Sequence, residues 1–375
     1  MAAMPDAVQL TRELLKFNTI NPPGAEQACA QHLGDLLKRA GFAVDFAEFA
    51  PTRTSLVAKI GGVQGKPPLG FTGHIDTVPL GAAAWTTDAF GGSLEGGKLY
   101  GRGSSDMKSG VAAFVVAAIR MADRLRNGPG VTLVITADEE CGCGGAAHLV
   151  KQGNLLGSVG ALVIGEPTAN YPLIGHKGAL WLDVMARGIT AHGSMPERGD
   201  NAIYKAAIAI GKLRDFDFAV PAHALMGRPT LNVGTVHGGL NINSVPDSTV
   251  IGVDIRTLPG QDHALIRSQL QRLLGETIEV SPTLDVAAVY SDPAQPWIQR
   301  VFDVTQARLG ERPQARTATY FTDAAELKNA YRDVPMVVLG PGEPQLAHQT
   351  DEYCVVDRIE EAFEMYGELM KDWGS

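Results

Sequence analysis

The chain has 375 residues, of which 45% are hydrophobic and 19% charged, with a formal net charge of -9. That length exceeds one ordinary core and suits two globular domains. The acidic balance argues against a nucleic-acid partner, whose phosphates need a basic footprint, and no apolar run approaches the length of a membrane span.

Residues 6–17 and 25–40 read as helices, the second after the breaker Asn21-Pro22-Pro23-Gly24. The first of these carries Asp6, Arg12, Glu13 and Lys16, so the amino-terminal stretch reads as an amphipathic helix and not as a signal peptide. Strands are expected at 42–49 and 54–60, and a further short strand leads into Phe71-Thr72-Gly73-His74. Met107–Leu125 reads as one apolar helix, and Val131–Thr136 and Ala161–Ile164 as buried strands. Short apolar strands alternating with apolar helices imply an α/β domain, its mixed, mostly parallel sheet covered by helices. The pattern changes near residue 178. Strands at 179–187, 230–237, 247–257, 277–280 and 284–290 alternate with a helix of about 15 residues capped by Asp200 or Asn201 and a helix at 262–275. That β-α-β-β-α-β order suits an α+β unit with two helices on an antiparallel sheet. The strand at 334–340 returns to the first style. The expected domains are therefore residues 1–177 with 290–375, and an insertion at 178–289.

Cysteine is sparse (Cys29, Cys141, Cys143 and Cys354), which speaks against a disulfide framework and for the cytoplasm. Cys141-Gly142-Cys143 has no second cysteine pair, so it reads as small residues in a tight loop.

Five places carry possible chemistry, each beyond an apolar strand or in a glycine-rich loop, where open α/β sheets bind ligands. His74 and Asp76 alternate on one side of an extended segment, so Asp76 can hold the second ring nitrogen of a ligating His74; a loop histidine with a chance neighbour is the plain alternative. Asp106, in Gly101-Arg102-Gly103-Ser104-Ser105-Asp106, either caps the following helix or bridges two cations. Asp138-Glu139-Glu140 follows a buried strand. It is either a solvated acidic loop or a pair of glutamates dividing metal binding from general-base work. Glu166 and His348 follow two further strands, and each alone could be an exposed loop residue. Their joint recurrence at strand ends of one sheet favours a metal site.

Gly73-His74-Ile75-Asp76-Thr77-Val78-Pro79, the Asp106 loop, Asp138-Glu139-Glu140, Gly165-Glu166-Pro167-Thr168 and Ala347-His348-Gln349-Thr350-Asp351-Glu352 together resemble the M20 metallopeptidase and amidohydrolase family, in family order from about residue 10 to 365. That family includes acetylornithine deacetylase, succinyl-diaminopimelate desuccinylase, aminoacylases and glutamate carboxypeptidases. The resemblance implies a catalytic domain with an inserted lid and dimerisation domain, a homodimer, and two zinc ions per subunit, with cobalt or manganese possible. It implies that His74, Asp106 and Glu166 hold one ion and Asp106, Glu140 and His348 the other. It makes Glu139 the general base and Asp76 the partner of His74, and implies a cis peptide bond after Asp106. Ala191-His192-Gly193-Ser194 resembles the family's lid motif, with His192 reaching a partner subunit's site to stabilise an oxyanion. Asn243 resembles a lid residue that contacts substrate, and Arg256 one that binds a substrate carboxylate; an ordinary strand ion pair is the plain reading of Arg256. Ala318-Thr319-Tyr320-Phe321-Thr322-Asp323-Ala324 departs from the glycine-rich loop of many relatives, which puts transfer of any one substrate in doubt.

The expected reaction is amide hydrolysis of a small N-acyl amino acid, of acetylornithine deacetylase or succinyl-diaminopimelate desuccinylase type. A carboxypeptidase or dipeptidase is the alternative, and an inactive binding homologue a remote one.

Overall fold

The computed structural model describes residues 5–62, 65–332 and 334–374. In chain order, α1 (Ala7–Leu15) and α2 (Gln27–Arg39) come first, α1 capped by Asp6, which accepts from the Gln9 N–H at 2.7 Å. They are followed by β1 (Ala43–Ala50), β2 (Arg53–Ile60) and β3 (Leu69–His74). Short strands β4 (Leu94–Glu95) and β5 (Lys98–Tyr100) precede α3 (Ser109–Arg120) and α4 (Ala122–Arg126). Next are β6 (Val131–Thr136), α5 (Gly144–Gln152) and β7 (Ala161–Ile164). After β8 (Gly175–His176) the chain runs through β9 (Gly178–Arg187), β10 (Ala191–His192), α6 (Ala202–Arg214), β11 (Thr230–Gly238) and β12 (Ser244–Val245). It continues through β13 (Ser248–Thr257), α7 (His263–Leu274), β14 (Ile278–Val286) and β15 (Val289–Tyr290). The last elements are α8 (Pro296–Leu309), α9 (Ala324–Tyr331), β16 (Met336–Val338), β17 (Tyr353–Val355) and α10 (Val356–Trp373).

The chain divides into two compact units. One runs to Gly175 and takes in Tyr290–Ala318 and Thr322 onward; the other holds His176–Val289 with Thr319–Phe321. The first unit is built on a sheet of order β1-β2-β6-β3-β7-β16. Strands β6, β3, β7 and β16 are parallel to one another, while β1 and β2 pair antiparallel at one edge. Every residue of β3, β6 and β7 is buried, which explains their unbroken apolar character. Helix α3 packs against α1 and α10, and the rings of Phe71, Phe114 and Tyr366 meet where it crosses the sheet, with centroids 5.4–6.5 Å apart.

The second unit is a four-stranded antiparallel sheet of order β11-β13-β9-β14, carrying α6 and α7. Its order β9-α6-β11-β13-α7-β14 is the β-α-β-β-α-β pattern read from the sequence. Strict alternation along β13, with Ile251, Val253 and Ile255 buried, turns one face towards the helices. Asn201 caps α6 by accepting from Ile203 and Tyr204, whereas Asp200 pairs with Lys205.

Three expectations change. The helix expected at Met107–Leu125 begins only at Ser109, because Asp106 and Met107 have non-helical dihedrals, and it breaks at Met121 into α3 and α4. The strands expected at 277–280 and 284–290 are mainly one strand, β14. Pro282 interrupts the sequence pattern but not the strand, because β14 is an edge strand and bulges between Pro282 and Leu284. Helix α5 and the small β4-β5-β17 sheet were not anticipated. No described helix is long and apolar enough to cross a membrane.

Two glycines give opposite expectations. A Cβ on Gly110, in the first turn of α3, would lie 2.1 Å from the Gly165 carbonyl oxygen beside Glu166; a Cβ on Gly367, inside α10, would meet nothing within 4 Å. Gly110→Ala should cost about 1–3 kcal/mol by overpacking. Gly367→Ala should gain about 0.5–1 kcal/mol from helix propensity. Urea unfolding measures both, and changes of the same sign would contradict the packing described.

Candidate metal centre

The parallel strands of the first unit end together, and their ends carry the acidic and imidazole groups. His74 is the last residue of β3, beside Thr136 at the end of β6. Beyond β6, Asp138 takes a left-handed φ of 63° and turns the chain so that Glu139 and Glu140 follow. Beyond β7 comes Glu166. The loop before α3 brings Asp106, and His348, itself at φ 65°, comes from the loop after β16. The peptide bond between Asp106 and Met107 is cis. Asp106 does not cap α3, which has no side-chain cap.

Asp106 faces two imidazoles. Its Oδ1 lies 3.2 Å from His74 Nε2 and its Oδ2 lies 3.5 Å from His348 Nε2. Glu166 Oε1 lies 3.7 Å from His74 Nε2, and Glu140 Oε2 lies 3.1 Å from His348 Nε2. Glu139 Oε2 is 4.0 Å from His74 Nε2. Ligand atoms of His74, Asp106 and Glu140 all lie within 4.8 Å of one another, as do those of His74, Glu139 and Glu166. His74 is only 1% exposed, whereas the His348 side chain is 53% exposed.

Asp76 is wholly buried and holds more than the ring of His74. His74 Nδ1 lies 3.0 Å from the Asp76 carbonyl oxygen and 3.5 Å from its Oδ1. The carboxylate also accepts from the backbone N–H of Glu139 (3.1 Å) and of Glu140 (3.2 Å), so it fixes the turn that presents both glutamates. Two residues that sequence reasoning missed complete this support. Asn21 Nδ2 donates to both Asp76 Oδ2 (2.9 Å) and Asp138 Oδ1 (2.8 Å). Arg53 Nη2 donates to Asp138 Oδ1 at 2.7 Å and also pairs with Glu26. The three adjacent carboxylates are thereby separated: Asp138 is neutralised by Arg53, while Glu139 and Glu140 are left for the site. Asn21 carried only a chain-breaking signal, and Arg53 none.

Among the described residues, every ion pair of Asp106, Glu139, Glu140 and Glu166 is with His74 or His348. The electrostatic result is a site short of positive charge. Burial pushes Glu139 well above the usual carboxylate range and Glu166 up to about 8. Burial, then the Asp106 charge, raises Glu140. Hydrogen bonds to Asp106 and Glu140 raise His348 to about 10. Burial opposes charge on His74, yet Glu166, Asp106 and Asp76 outweigh it and hold its pKa well above that of a free imidazole. Glu140 Oε1 is buried with no hydrogen-bond partner among the described residues. An orphaned carboxylate oxygen among like charges, with imidazole nitrogens beside it, fits divalent cations bound by mixed nitrogen and oxygen donors.

Comparison with known proteins agrees with this chemistry. Residues 70–372 match the family described as peptidase family M20/M25/M40. The chain belongs to that family. It is 31% identical over 401 residues to the probable succinyl-diaminopimelate desuccinylase of Staphylococcus epidermidis, covering 98% of this chain and 97% of that protein. It is 32% identical over 391 residues to the acetylornithine deacetylase of Proteus mirabilis, covering 99% and 97%. Among solved structures, the M20 family metallo-carboxypeptidase Sso-CP2 of Sulfolobus solfataricus shares the fold, with a TM-score of 0.83 at 19% identity over 99% of this chain and all of that one. As an M20 member the protein is a metal-binding hydrolase of amide bonds.

The remaining residues singled out from the sequence lie in the second unit. His192 and Asn243 are neighbours there: β10 pairs with β12, so His192 lies opposite Ser244, and the Gly193 N–H donates to the Asn243 carbonyl at 2.7 Å. His192 Nδ1 accepts from the Ser194 N–H at 3.2 Å, which leaves the ring proton on Nε2 in the neutral form. Arg256 lies near the far end of β13, eight residues along from Ser248, or about 27 Å at strand spacing. Its guanidinium pairs with Asp254 at 3.0 Å.

Removing metal should expose the charge imbalance. Chelation should lower the thermal midpoint, and added zinc should restore it in a concentration-dependent way, with a gain in unfolding free energy of about 2.7 kcal/mol per site at a hundredfold excess over Kd. A midpoint indifferent to chelator and zinc alike would contradict a metal centre.

Proposed function

We propose that the protein is a dinuclear metallohydrolase that removes the acyl group from a small N-acyl amino acid. One observation carries the dinuclear reading: Asp106 offers one carboxylate oxygen to each of two imidazoles, and a further glutamate stands by each. In this reading His74, Asp106 and Glu166 hold one ion, and Asp106, Glu140 and His348 the other. Zinc is the expected ion, with cobalt or manganese compatible with the same donors. When bound, the cations supply Lewis acidity, polarising the scissile carbonyl and making a water acidic enough to attack near neutral pH.

Glu139 is the carboxylate left for proton transfer. It accepts a proton from the attacking water and returns it to the leaving amine. Asp76 fixes the backbone at Glu139 and Glu140 by accepting from both N–H groups. His192, with its proton on Nε2, presents a donor suited to a developing oxyanion, and Asn243 beside it a contact for substrate. Arg256 supplies the cation for a substrate carboxylate, exchanging its pairing with Asp254 for that of the ligand.

The same proposal includes a homodimer formed through the second unit. Strand β11 is a sheet edge, and Val236, Leu240 and Ile242 on or just beyond it are exposed. Ile203, Tyr204 and Ile208 on α6 are exposed too, and a side chain added at Gly239 would meet Ile203 at 3.6 Å. An apolar strip along an unpaired edge suits a two-fold partner. Across such an interface His192 would act on the partner's site. The acyl amino acid class rests on the similarity to the desuccinylase and the deacetylase over nearly the whole chain.

Three outcomes follow. Glu139→Gln should keep metal and lose nearly all turnover; appreciable retained activity rules out the base. Homodimers of Glu139→Gln and of His192→Ala should both be inactive, and co-expressing the two chains should restore activity only if His192 acts across the dimer. In a screen of the zinc-loaded protein, kcat/KM should favour N-succinyl and N-acetyl amino acids over dipeptides. A preference for dipeptides would move the assignment to a peptidase.

A further inference from the structure

The loop that carries Asp106 is assembled on one buried carboxylate that lies far away in sequence. Glu352 is wholly buried. Its Oε1 accepts from the backbone N–H of Ser105 (2.7 Å) and of Asp106 (2.9 Å). Its Oε2 accepts from the Gly103 N–H (3.0 Å) and from Arg102 Nη1 (2.6 Å). Four donors thus converge on two oxygens, three of them backbone groups just before or at Asp106. The backbone of Glu352 joins the same contact, since its carbonyl accepts from the Gly101 N–H at 2.9 Å. Ser105 Oγ closes the arrangement by donating to the Tyr353 carbonyl at 2.7 Å.

The segment that supplies this carboxylate also supplies His348, four residues earlier. His348 and Asp351 both take left-handed φ values, 65° and 57°, and Asp351 Oδ1 accepts from the Thr86 N–H at 2.7 Å. Such conformations are held only where surrounding contacts over-determine them. One short stretch therefore sets both His348 and the backbone of Asp106, and with them the 3.5 Å approach of His348 Nε2 to Asp106 Oδ2.

We propose that Glu352 is a positioning residue for the dinuclear centre, setting the direction of the Asp106 carboxylate so that one oxygen faces His74 and the other His348. This rests on the role proposed above for Asp106. A glutamine at 352 would keep one accepting oxygen but turn an NH2 towards other donors, so half of the template would repel what it now binds. An aspartate would keep the charge but draw it back by about one carbon–carbon bond, ~1.5 Å, beyond reach of all four donors together.

Cobalt titration tests this, read by calorimetry for affinity and by visible absorption for ligand geometry. Circular dichroism and thermal unfolding of the metal-free proteins run alongside. Glu352→Gln should fold, bind at least one of two cobalt equivalents roughly 10–100-fold more weakly, and show an altered cobalt spectrum. Glu352→Asp should shift both readouts in the same direction by less. A lowered unfolding midpoint with unchanged cobalt affinity and spectrum would make Glu352 merely structural and overturn the proposal. So would failure of both variants to fold. If Glu352→Gln alone fails to fold, Glu352→Asp with native cobalt binding overturns it. Asp106→Asn separates the two levels of reasoning. If it retains both cobalt equivalents at native affinity, the reading of the centre fails; if it loses them while the Glu352 variants do not, only the positioning role fails.

Discussion

The structure turns on an uncompensated concentration of carboxylates at the ends of β3, β6 and β7. Four acidic side chains share two imidazoles, and the arginine nearest in the network, Arg53, is committed to Asp138 and Glu26. Several buried like charges cannot all remain ionised without compensation, as the raised pKa values of Glu139, Glu140 and Glu166 express. A fold tolerates such a cluster when a ligand of opposite charge returns the lost energy. In the proposed reading the metals do that, so part of the stability of this region is borrowed from the ions it binds.

That constraint explains the rigidity of the surroundings. Mutually repelling groups spread apart unless the backbone beneath them is fixed. Asp76 fixes Glu139 and Glu140 through their N–H groups, Asn21 fixes Asp76, and Glu352 fixes the approach to Asp106. The apolar interior serves the same end. β3, β6 and β7 are wholly buried, and α3 is buried from Ser109 to Ala118, so the strand ends cannot drift independently.

Much of this was legible in the sequence because it is local. Buried parallel strands read as apolar runs, and their ends can be found by where those runs stop. Each residue there, His74, Glu139, Glu140 and Glu166, has a plain reading alone, and their recurrence at strand ends of one sheet is what pointed to metal chemistry. Asp106 and His348 lie in loops, but their residue types and the joint pattern pointed to the same place. The second unit was equally readable, because alternation along β13 and the cap at Asn201 are short-range features. What stayed hidden depends on distance along the chain. Asn21 reaches Asp76 across 55 residues, and Glu352 reaches Asp106 across 246. Nothing in a single sequence marks a glutamate that accepts backbone hydrogen bonds from so far away. The break at Met121 was hidden for another reason: neither glycine nor proline marks it in the sequence.

The second unit follows a different logic. His192 and Asn243 are held together by β10 and β12, whereas Arg256 lies towards the far end of β13, about 27 Å along the strand from Ser248. A ligand the size of an acyl amino acid cannot touch both ends of that strand at once. If both contribute to catalysis, as proposed, they would serve different substrate molecules, the second one held by a two-fold partner. The exposed apolar strip on β11 and α6 then has a purpose that solubility alone would select against. Dimerisation and catalysis would be linked by geometry, since each chain would supply the metal ligands for its own site and the oxyanion donor for its neighbour's.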